Sequence, residues 1–165
     1  MAVQERTTED LEQLPLPEVL TYRLVVLVNR LNRQAGAILK RSAGLRLPEW
    51  RCIALLGSNG RMSVAELTAT SVMDKALISR TVWDLKEKGL VTAERAEHDR
   101  RLLNVSLTEA GETTFREVLP VMRRRLGDLT ASLSDRELAT VLTSIEKINT
   151  AYEAWAAGDG DDAAA

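Results

Sequence analysis

Apolar side chains recur at steps of three and four residues along most of the chain, which is the period of an amphipathic α-helix. Pro15 and Pro17 open the first predicted helix, whose apolar stripe comprises Leu20, Leu24, Leu27, Val28, Leu31, Ala35, Ile38 and Leu39. A second apolar face is formed by Tyr22, Val25 and Val26. A helix that is apolar on two sides usually has two packing partners. In a chain of this length, a second copy of the chain is a candidate for one of them.

Three shorter helices are predicted between residues 47 and 89. Pro48 suits the first turn of the first of them, and Gly60 ends it. Ser63-Val64-Ala65-Glu66 fits the capping box, in which two side chains satisfy backbone N–H groups at a helix start. Asp74 is a suitable N-cap for the third helix, which stops at Gly89.

The hydrophobic period then changes from helical to strand-like. Residues 90–95 and 102–107 are short strand-like runs, and the polar stretch between them indicates a hairpin loop. Thr108 is a candidate cap for a long helix, and a second capping box at Ser134-Asp135-Arg136-Glu137 introduces the last helix.

This order of elements predicts a mainly α fold with a small β-hairpin. We expect a winged helix-turn-helix lobe at about residues 45–108, with N- and C-terminal helices at about 15–41 and 109–157 forming a dimer platform. Together they form one domain over residues 15–157. Residues 1–14 and the acidic tail 158–165 are predicted to be disordered.

Composition narrows the classes of function. The chain has 165 residues with 45% hydrophobic and 28% charged residues, which is typical of one globular domain. No membrane-spanning stretch or secretion signal is evident, so the cytoplasm is the expected location. One cysteine, Cys52, and one histidine, His98, leave no disulfide and no zinc-type cluster, and we expect neither a metal nor a cofactor. No nucleotide-binding loop or catalytic constellation is present, so an enzyme is not expected.

The helix after Asp74 carries the first candidate site, for double-stranded DNA. At 100° per residue, Ile78, Val82 and Leu85 face the core, whereas Ala76 and Arg80 face outward. Arginine bonds guanine O6 and N7 in the major groove. The remaining candidate contacts are Leu77 for a thymine methyl group, and Lys75 and Ser79 for phosphates. A solvated amphipathic helix with incidental charges is the alternative interpretation.

The loop between the two strands is the second candidate. It carries Arg95, Arg100 and Arg101, and arginine is favoured in a narrow minor groove. Asp99 is close enough to Arg101 to hold its guanidinium in one rotamer. The alternative is a solvated turn, where such a pair contributes about 0–1 kcal/mol. The whole chain has a net charge of −2, so DNA binding depends on this local patch.

Residues 79–111 resemble the MarR family of transcription regulators. The pattern D-x-R followed by a strand and L-T-x-x-G is present as Asp99, Arg101, Leu107, Thr108 and Gly111. The resemblance implies a homodimer that binds a pseudo-palindromic operator, with Arg101 in the minor groove and Asp99 orienting it. It also implies a repressor that releases DNA when a small aromatic effector binds between the dimer platform and the DNA-binding lobe.

Three aromatic residues and the cysteine are further candidates for ligand binding, packing or redox chemistry. Tyr22 and Trp50 are candidates for lining a ligand cleft, although packing is the simpler interpretation for Trp50. Trp83 is also interpreted as a packing residue, although 100° per residue places it outward with Arg80. It departs from the family pattern, in which that position is more often polar. Packing against a neighbouring side chain and contact with the DNA backbone are the two alternatives. Cys52 is expected to be a small buried hydrophobe rather than a redox sensor. The alternative function is a winged-helix protein-interaction module that does not bind DNA.

Overall fold

The computed structural model describes residues 13–95 and 103–162, with side chains up to residue 158. The described part has a short 3-10 helix (Leu16–Glu18) followed by six α-helices: α1 Leu20–Ala43, α2 Leu47–Asn59, α3 Val64–Ser71, α4 Lys75–Glu87, α5 Glu109–Thr130 and α6 Asp135–Asp162. Its three strands are β1 Met62–Ser63, β2 Val91–Arg95 and β3 Leu103–Leu107. The expected mainly α fold with a β-hairpin is therefore confirmed.

A small antiparallel sheet has one strand before and two strands after the helix-turn-helix formed by α3 and α4. Strand β3 lies at its centre, between β1 and β2. The hairpin pairs Val91 with Leu107 and Arg95 with Leu103. Strand β1 was not predicted, because two residues carry no alternation of apolar and polar positions that a sequence pattern can reveal.

Side-chain caps form at the starts of α3, α5 and α6. The Ser63 hydroxyl accepts from the Glu66 N–H at 3.1 Å, and the Glu66 carboxylate accepts from the Ser63 N–H at 2.7 Å. Ser134 and Glu137 form the same reciprocal pair at the start of α6. The Thr108 hydroxyl accepts from the Gly111 N–H at 3.1 Å, so both predicted capping boxes and the Thr108 cap are confirmed.

The chain divides into two compact units, Met1–Pro120 and Val121–Ala165. The buried apolar residues of the described part all belong to the first unit: Ala35, Leu39, Leu45, Trp50, Cys52, Ile53, Leu56, Met62, Leu67, Met73, Ile78, Val82, Leu85, Val91, Val105 and Val118. They come from α1–α5 and all three strands. This shared core holds α4 and the hairpin in one lobe.

Both outer helices differ from their predicted bounds. The α1 helix begins at Leu20 instead of at the prolines, because Val19 is in an extended conformation (φ −67°, ψ 125°) that separates α1 from the 3-10 turn. The α6 helix continues through Asp162, beyond the predicted end at residue 157. Each added helical residue gains one backbone hydrogen bond, and two alanines before Gly158 favour continuation. The first five residues of the predicted disordered tail are therefore helical.

Large apolar side chains are exposed on both outer helices. In α1, the exposed residues are Leu20, Tyr22, Val25, Leu27 and Val28, at 40–57% exposure. In α6, they are Val141, Leu142, Ile145, Ile148, Tyr152 and Trp155, at 43–63%. The predicted stripe on α1 is thus buried at Ala35 and Leu39 but open over its first two turns.

Candidate nucleic-acid interface

The turn between α3 and α4 sets where the candidate helix begins. The Asp74 carboxylate accepts from the Leu77 N–H at 2.7 Å, which confirms the predicted N-cap. Val72, two residues earlier, adopts a left-handed conformation (φ 56°) and is 95% exposed. A β-branched residue is rarely found there, because its side chain clashes with the backbone. The geometry of this turn is therefore maintained against a local steric cost.

The α4 helix has one buried and one exposed face. Ile78, Val82 and Leu85 are at most 3% exposed, as the periodicity predicts. Arg80 lies on the exposed face, as do the other candidate contacts Lys75, Ala76 and Ser79, whereas Leu77 is half-buried. The arrangement presents a guanidinium and an ammonium group to solvent from the first half of the helix.

Ser79 makes a hydrogen bond within its own helix. Its hydroxyl donates to the carbonyl oxygen of Lys75 at 2.8 Å. A hydroxyl has a single proton to donate, and rotation about its C–O bond can direct that proton to a different acceptor. A phosphate contact by Ser79 would therefore exchange this internal bond for one to DNA.

Trp83 does not pack in the core of the lobe, so that interpretation of it was wrong. Its side chain is 63% exposed and lies one turn beyond Arg80 on the outer face of α4. The 100° spacing had already placed Trp83 outward, and tryptophan's general preference for burial was the misleading signal.

The hairpin places Arg95 at the end of β2, opposite Leu103. Arg95 is exposed. Asp99, Arg100 and Arg101 lie outside the described residues, so their assignments as DNA contacts remain predictions.

A concave surface of about 550 Å³ lies between α3, the first half of α4 and the start of β3. Lys75 and Ser79 line it from α4, Thr68 from α3 and Leu103 from β3. Two of the candidate contacts on α4 thus share one surface with Leu103, which lies at the loop end of the hairpin.

A cluster of four charges holds the other half of α4. The Glu49 carboxylate, at the start of α2, has no exposed side-chain surface and accepts from Lys88 Nζ at 2.9 Å. It also accepts from the Arg46 N–H at 2.7 Å and from Arg46 Nη2 at 2.9 Å. The same guanidinium forms a short ion pair with Asp84 of α4. The cluster therefore joins α2 to the second half of α4.

The Glu49 carboxyl stays ionised despite its burial. Removal from water acts to raise its pKa, because it disfavours the charged form. The backbone N–H of Arg46 and the side chains of Lys88 and Arg46 act in the opposite direction and prevail, so the pKa lies below its ordinary value.

The two candidate ligand-cleft residues have different surroundings. Trp50 is 6% exposed and stacks on Phe115, with ring centroids 6.2 Å apart. Tyr22 is 40% exposed. Cys52 is fully buried, as expected, and burial together with the charge of Glu49 raises the pKa of its thiol to about 11. Such a thiol is protonated near neutral pH and is a poor nucleophile.

Metal-binding clusters and membrane-spanning helices are two further features that bear on function. No group of three or more His, Cys, Asp and Glu side chains is arranged to bind a metal ion in residues 13–95 and 103–162. Over the same part of the chain, every helix is too short or too polar to span a bilayer.

Residues 43–102 match the model of the MarR family. The matched segment contains helices α2–α4 and strands β1 and β2. Over 102 residues, 62% of its length, the chain is 28% identical to the HTH-type transcriptional repressor IacR of Pseudomonas putida, of which the alignment spans 60%.

Two solved structures share the architecture. The MarR/EmrR family regulator from Acinetobacter sp. ADP1 has a TM-score of 0.77 at 24% identity, covering 85% of this chain and 99% of that one. The MepR–DNA complex of S. aureus has a TM-score of 0.74 at 15% identity, covering 80% and 96%. In the terms used for winged-helix folds, we call α4 the recognition helix and β2–β3 the strands of the wing.

Proposed function

We propose that the protein is a transcriptional repressor that binds a pseudo-palindromic DNA operator as a homodimer. The observation that carries the proposal is the exposed face of the recognition helix, where Lys75 and Arg80 project from a MarR-family winged helix. The name of the IacR relative, a transcriptional repressor, supports the direction of regulation. The DNA complex of MepR supports the class of partner.

Each candidate contact has a proposed role. Arg80 reads guanine in the major groove, and Leu77 contacts a thymine methyl group from the edge of the same helix face. Lys75 and Ser79 bind phosphates, and the small side chain of Ala76 allows close approach. In the wing, Arg95 and Arg100 bind the backbone, and Arg101, oriented by Asp99, enters the minor groove.

The homodimer is proposed from exposed apolar surface on the outer helices. Residues such as Val25, Leu27 and Val28 on α1 and Leu142 and Trp155 on α6 are 51–63% exposed in the single chain. Large exposed apolar patches mark interaction sites. A second copy would cover equivalent residues by two-fold symmetry and would place two recognition helices on one side of a duplex.

The effector is proposed to bind a crevice of about 340 Å³ between the end of α2, β3 and the start of α5. Phe115 supplies an apolar wall, and the positive charges of Arg61 and Arg116 outweigh the negative charge of Glu112, which also lines the crevice. This combination suits a small aromatic anion. Trp50, which stacks on Phe115, and the partly exposed Tyr22 are then secondary candidates for contacting the effector. Calorimetric titration of a small aromatic carboxylate tests this placement, because Arg116→Ala should weaken its binding.

The function is tested with two arginine variants and fragments of genomic DNA. Wild-type protein should retain a subset of duplex fragments at low salt, and Arg80→Ala should lose that selectivity while its circular dichroism is unchanged. Arg33→Ala is the matched control, since it removes an exposed arginine of α1 that has no proposed contact with DNA. A folded dimer that retains no fragment would instead support a protein-interaction module.

A further inference from the structure

The buried carboxylate of Glu49 has a role that folding alone does not explain. Burying ions is costly, and apolar residues of similar volume are often as stable as a buried ion pair or more so. Glu49 nevertheless lies fully buried at the start of α2 and contacts one cation from α4 and one from its own helix. The shape of the lobe therefore does not by itself require this charge.

Arg46 occupies a position where a different residue type is expected. It is the N-cap of α2, where Ser, Thr, Asp and Asn are preferred because their side chains accept hydrogen bonds. A guanidinium group has no acceptor. It donates instead to Glu49, through Nε at 3.2 Å and Nη2 at 2.9 Å, and it pairs with Asp84 of the recognition helix.

The recognition helix is held at two points that are one turn apart. Asp84 pairs with Arg46, and Lys88, the C-cap of the helix, donates to Glu49 at 2.9 Å and to the Gly44 carbonyl at 3.2 Å. Two anchors on adjacent turns restrict rotation of a helix about its axis, because both would have to break together. Rotation is the motion that would turn outward-facing side chains of the first half away from a groove.

We propose that Glu49, acting through Arg46 and Lys88, is a positioning residue that sets the rotation of the recognition helix and thereby the affinity for the operator. This inference rests on the proposed function. Arg80 lies one turn before Asp84, so a change in rotation moves its guanidinium relative to the base it reads. Productive recognition tolerates only small displacements of such groups.

Two other roles for these residues make different predictions. If the cluster acts only on stability, its loss lowers the midpoint of urea unfolding but leaves the affinity of the folded protein unchanged. If Lys88 binds a phosphate directly, its loss reduces the slope of log Kd against log salt by about 0.9, the value for one contact. Positioning predicts weaker binding with an unchanged slope.

The test measures operator binding of Lys88→Met over a range of salt concentrations. Lys88→Met removes the charge but keeps the alkyl chain, and we expect Kd to rise by about tenfold at each salt concentration. Lys88→Arg should restore most of the affinity. Lys86→Met is the matched control, because Lys86 is an exposed lysine on the same helix with the same change in net charge. A control variant that weakens binding equally, or an unchanged Kd for Lys88→Met, overturns the proposal, as does a reduced salt slope.

A double-mutant cycle adds Glu49→Gln. The double variant should bind about as weakly as Glu49→Gln alone, because Glu49→Gln already breaks the connection to Lys88. If the losses of affinity in the two single variants add up in the double variant, Glu49 and Lys88 do not act through one connection and the proposal is overturned. The Lys88 variants still decide the question if Glu49→Gln does not fold.

Amide hydrogen exchange of the free protein supplies a readout that needs no operator. Positioning predicts faster exchange of residues 78–87 in Lys88→Met than in wild type, with unchanged exchange in α5. Unchanged exchange in α4 contradicts the inference. If wild-type protein binds no DNA but exchange in α4 responds, the proposed function fails while the anchoring of the helix stands.

Discussion

The backbone carbonyl oxygen of Leu90 lies directly against Gly111, where a Cβ atom would overlap it. The same oxygen accepts from the Thr108 N–H at 3.1 Å, and the Thr108 hydroxyl donates to the Gly89 carbonyl at 2.7 Å. The start of α5 is therefore bonded to the turn that ends the recognition helix. This contact gives a physical reason for threonine and glycine three residues apart in the L-T-x-x-G pattern.

Gly111→Ala should destabilise the lobe. The added methyl group meets backbone, which cannot move as a flexible side chain can, and overpacking of this kind costs about 1–3 kcal/mol. Urea unfolding measures the change. Gly127→Ala, in the same helix, is the control: open space surrounds Gly127, so alanine should raise the free energy of unfolding by up to about 1 kcal/mol. Equal stability of Gly111→Ala and wild type would contradict the packing described here.

Val72→Gly should stabilise the protein. Val72 has a φ of 56° and is 95% exposed, so the change loses little packing. Relief of the left-handed strain is worth about 1–2 kcal/mol, of which the extra backbone entropy of glycine in the unfolded chain cancels a part. Thermal unfolding should show a higher midpoint than wild type. Val72→Ala keeps a Cβ atom, so its midpoint should rise less than that of Val72→Gly. A midpoint below that of wild type for Val72→Gly would show that Val72 is not strained.

Acidification should weaken the folded state through Glu49. Its pKa is lowered from 4.5 in the folded protein, so the unfolded chain binds the proton more readily. The stabilising contribution is complete above pH 4.5 and is lost as the pH falls through the lower folded pKa. Urea unfolding from about pH 6 to about pH 3 should therefore show a steeper loss for wild type than for Glu49→Gln. Parallel curves would mean that Glu49 has an ordinary pKa.

Cys52 should be unreactive in the native protein. Its thiol is fully buried with a pKa of about 11, so almost no thiolate is available at neutral pH. A maleimide reagent should modify it only in denaturant, and peroxide should leave operator binding unchanged. Rapid labelling of the native protein would show that the lobe opens around α2.

The sequence predicts local structure well where a single element carries the signal. The capping boxes at Ser63 and Ser134 and the cap at Asp74 occupy the positions that their spacing indicates. The two faces of α4 follow from 100° per residue, so Arg80 was correctly placed on the outer side. These signals are short-range, and neighbouring residues contain all of the necessary information.

Contacts between distant residues were not predicted. Glu49 and Lys88 are 39 positions apart, and each resembles an ordinary surface charge when taken alone. The two-residue strand β1 exists because it pairs with β3, and its own residues carry no pattern. Trp83 was assigned to packing on residue type, although its position on the helix already pointed outward. For Glu49 and β1 the deciding information lies in a distant partner, whereas for Trp83 it lies in the residue's own position on the helix.

Selection from a random duplex library is the most direct measurement of the central claim, that two copies of α4 read one operator. Wild-type protein should enrich an inverted repeat with half-sites about 10 base pairs apart. Arg80→Ala should lose the preference at one position in each half-site, while Arg33→Ala should select the same sequence as wild type. Enrichment of no motif by a folded wild-type dimer, or an identical motif from Arg80→Ala, would contradict the account.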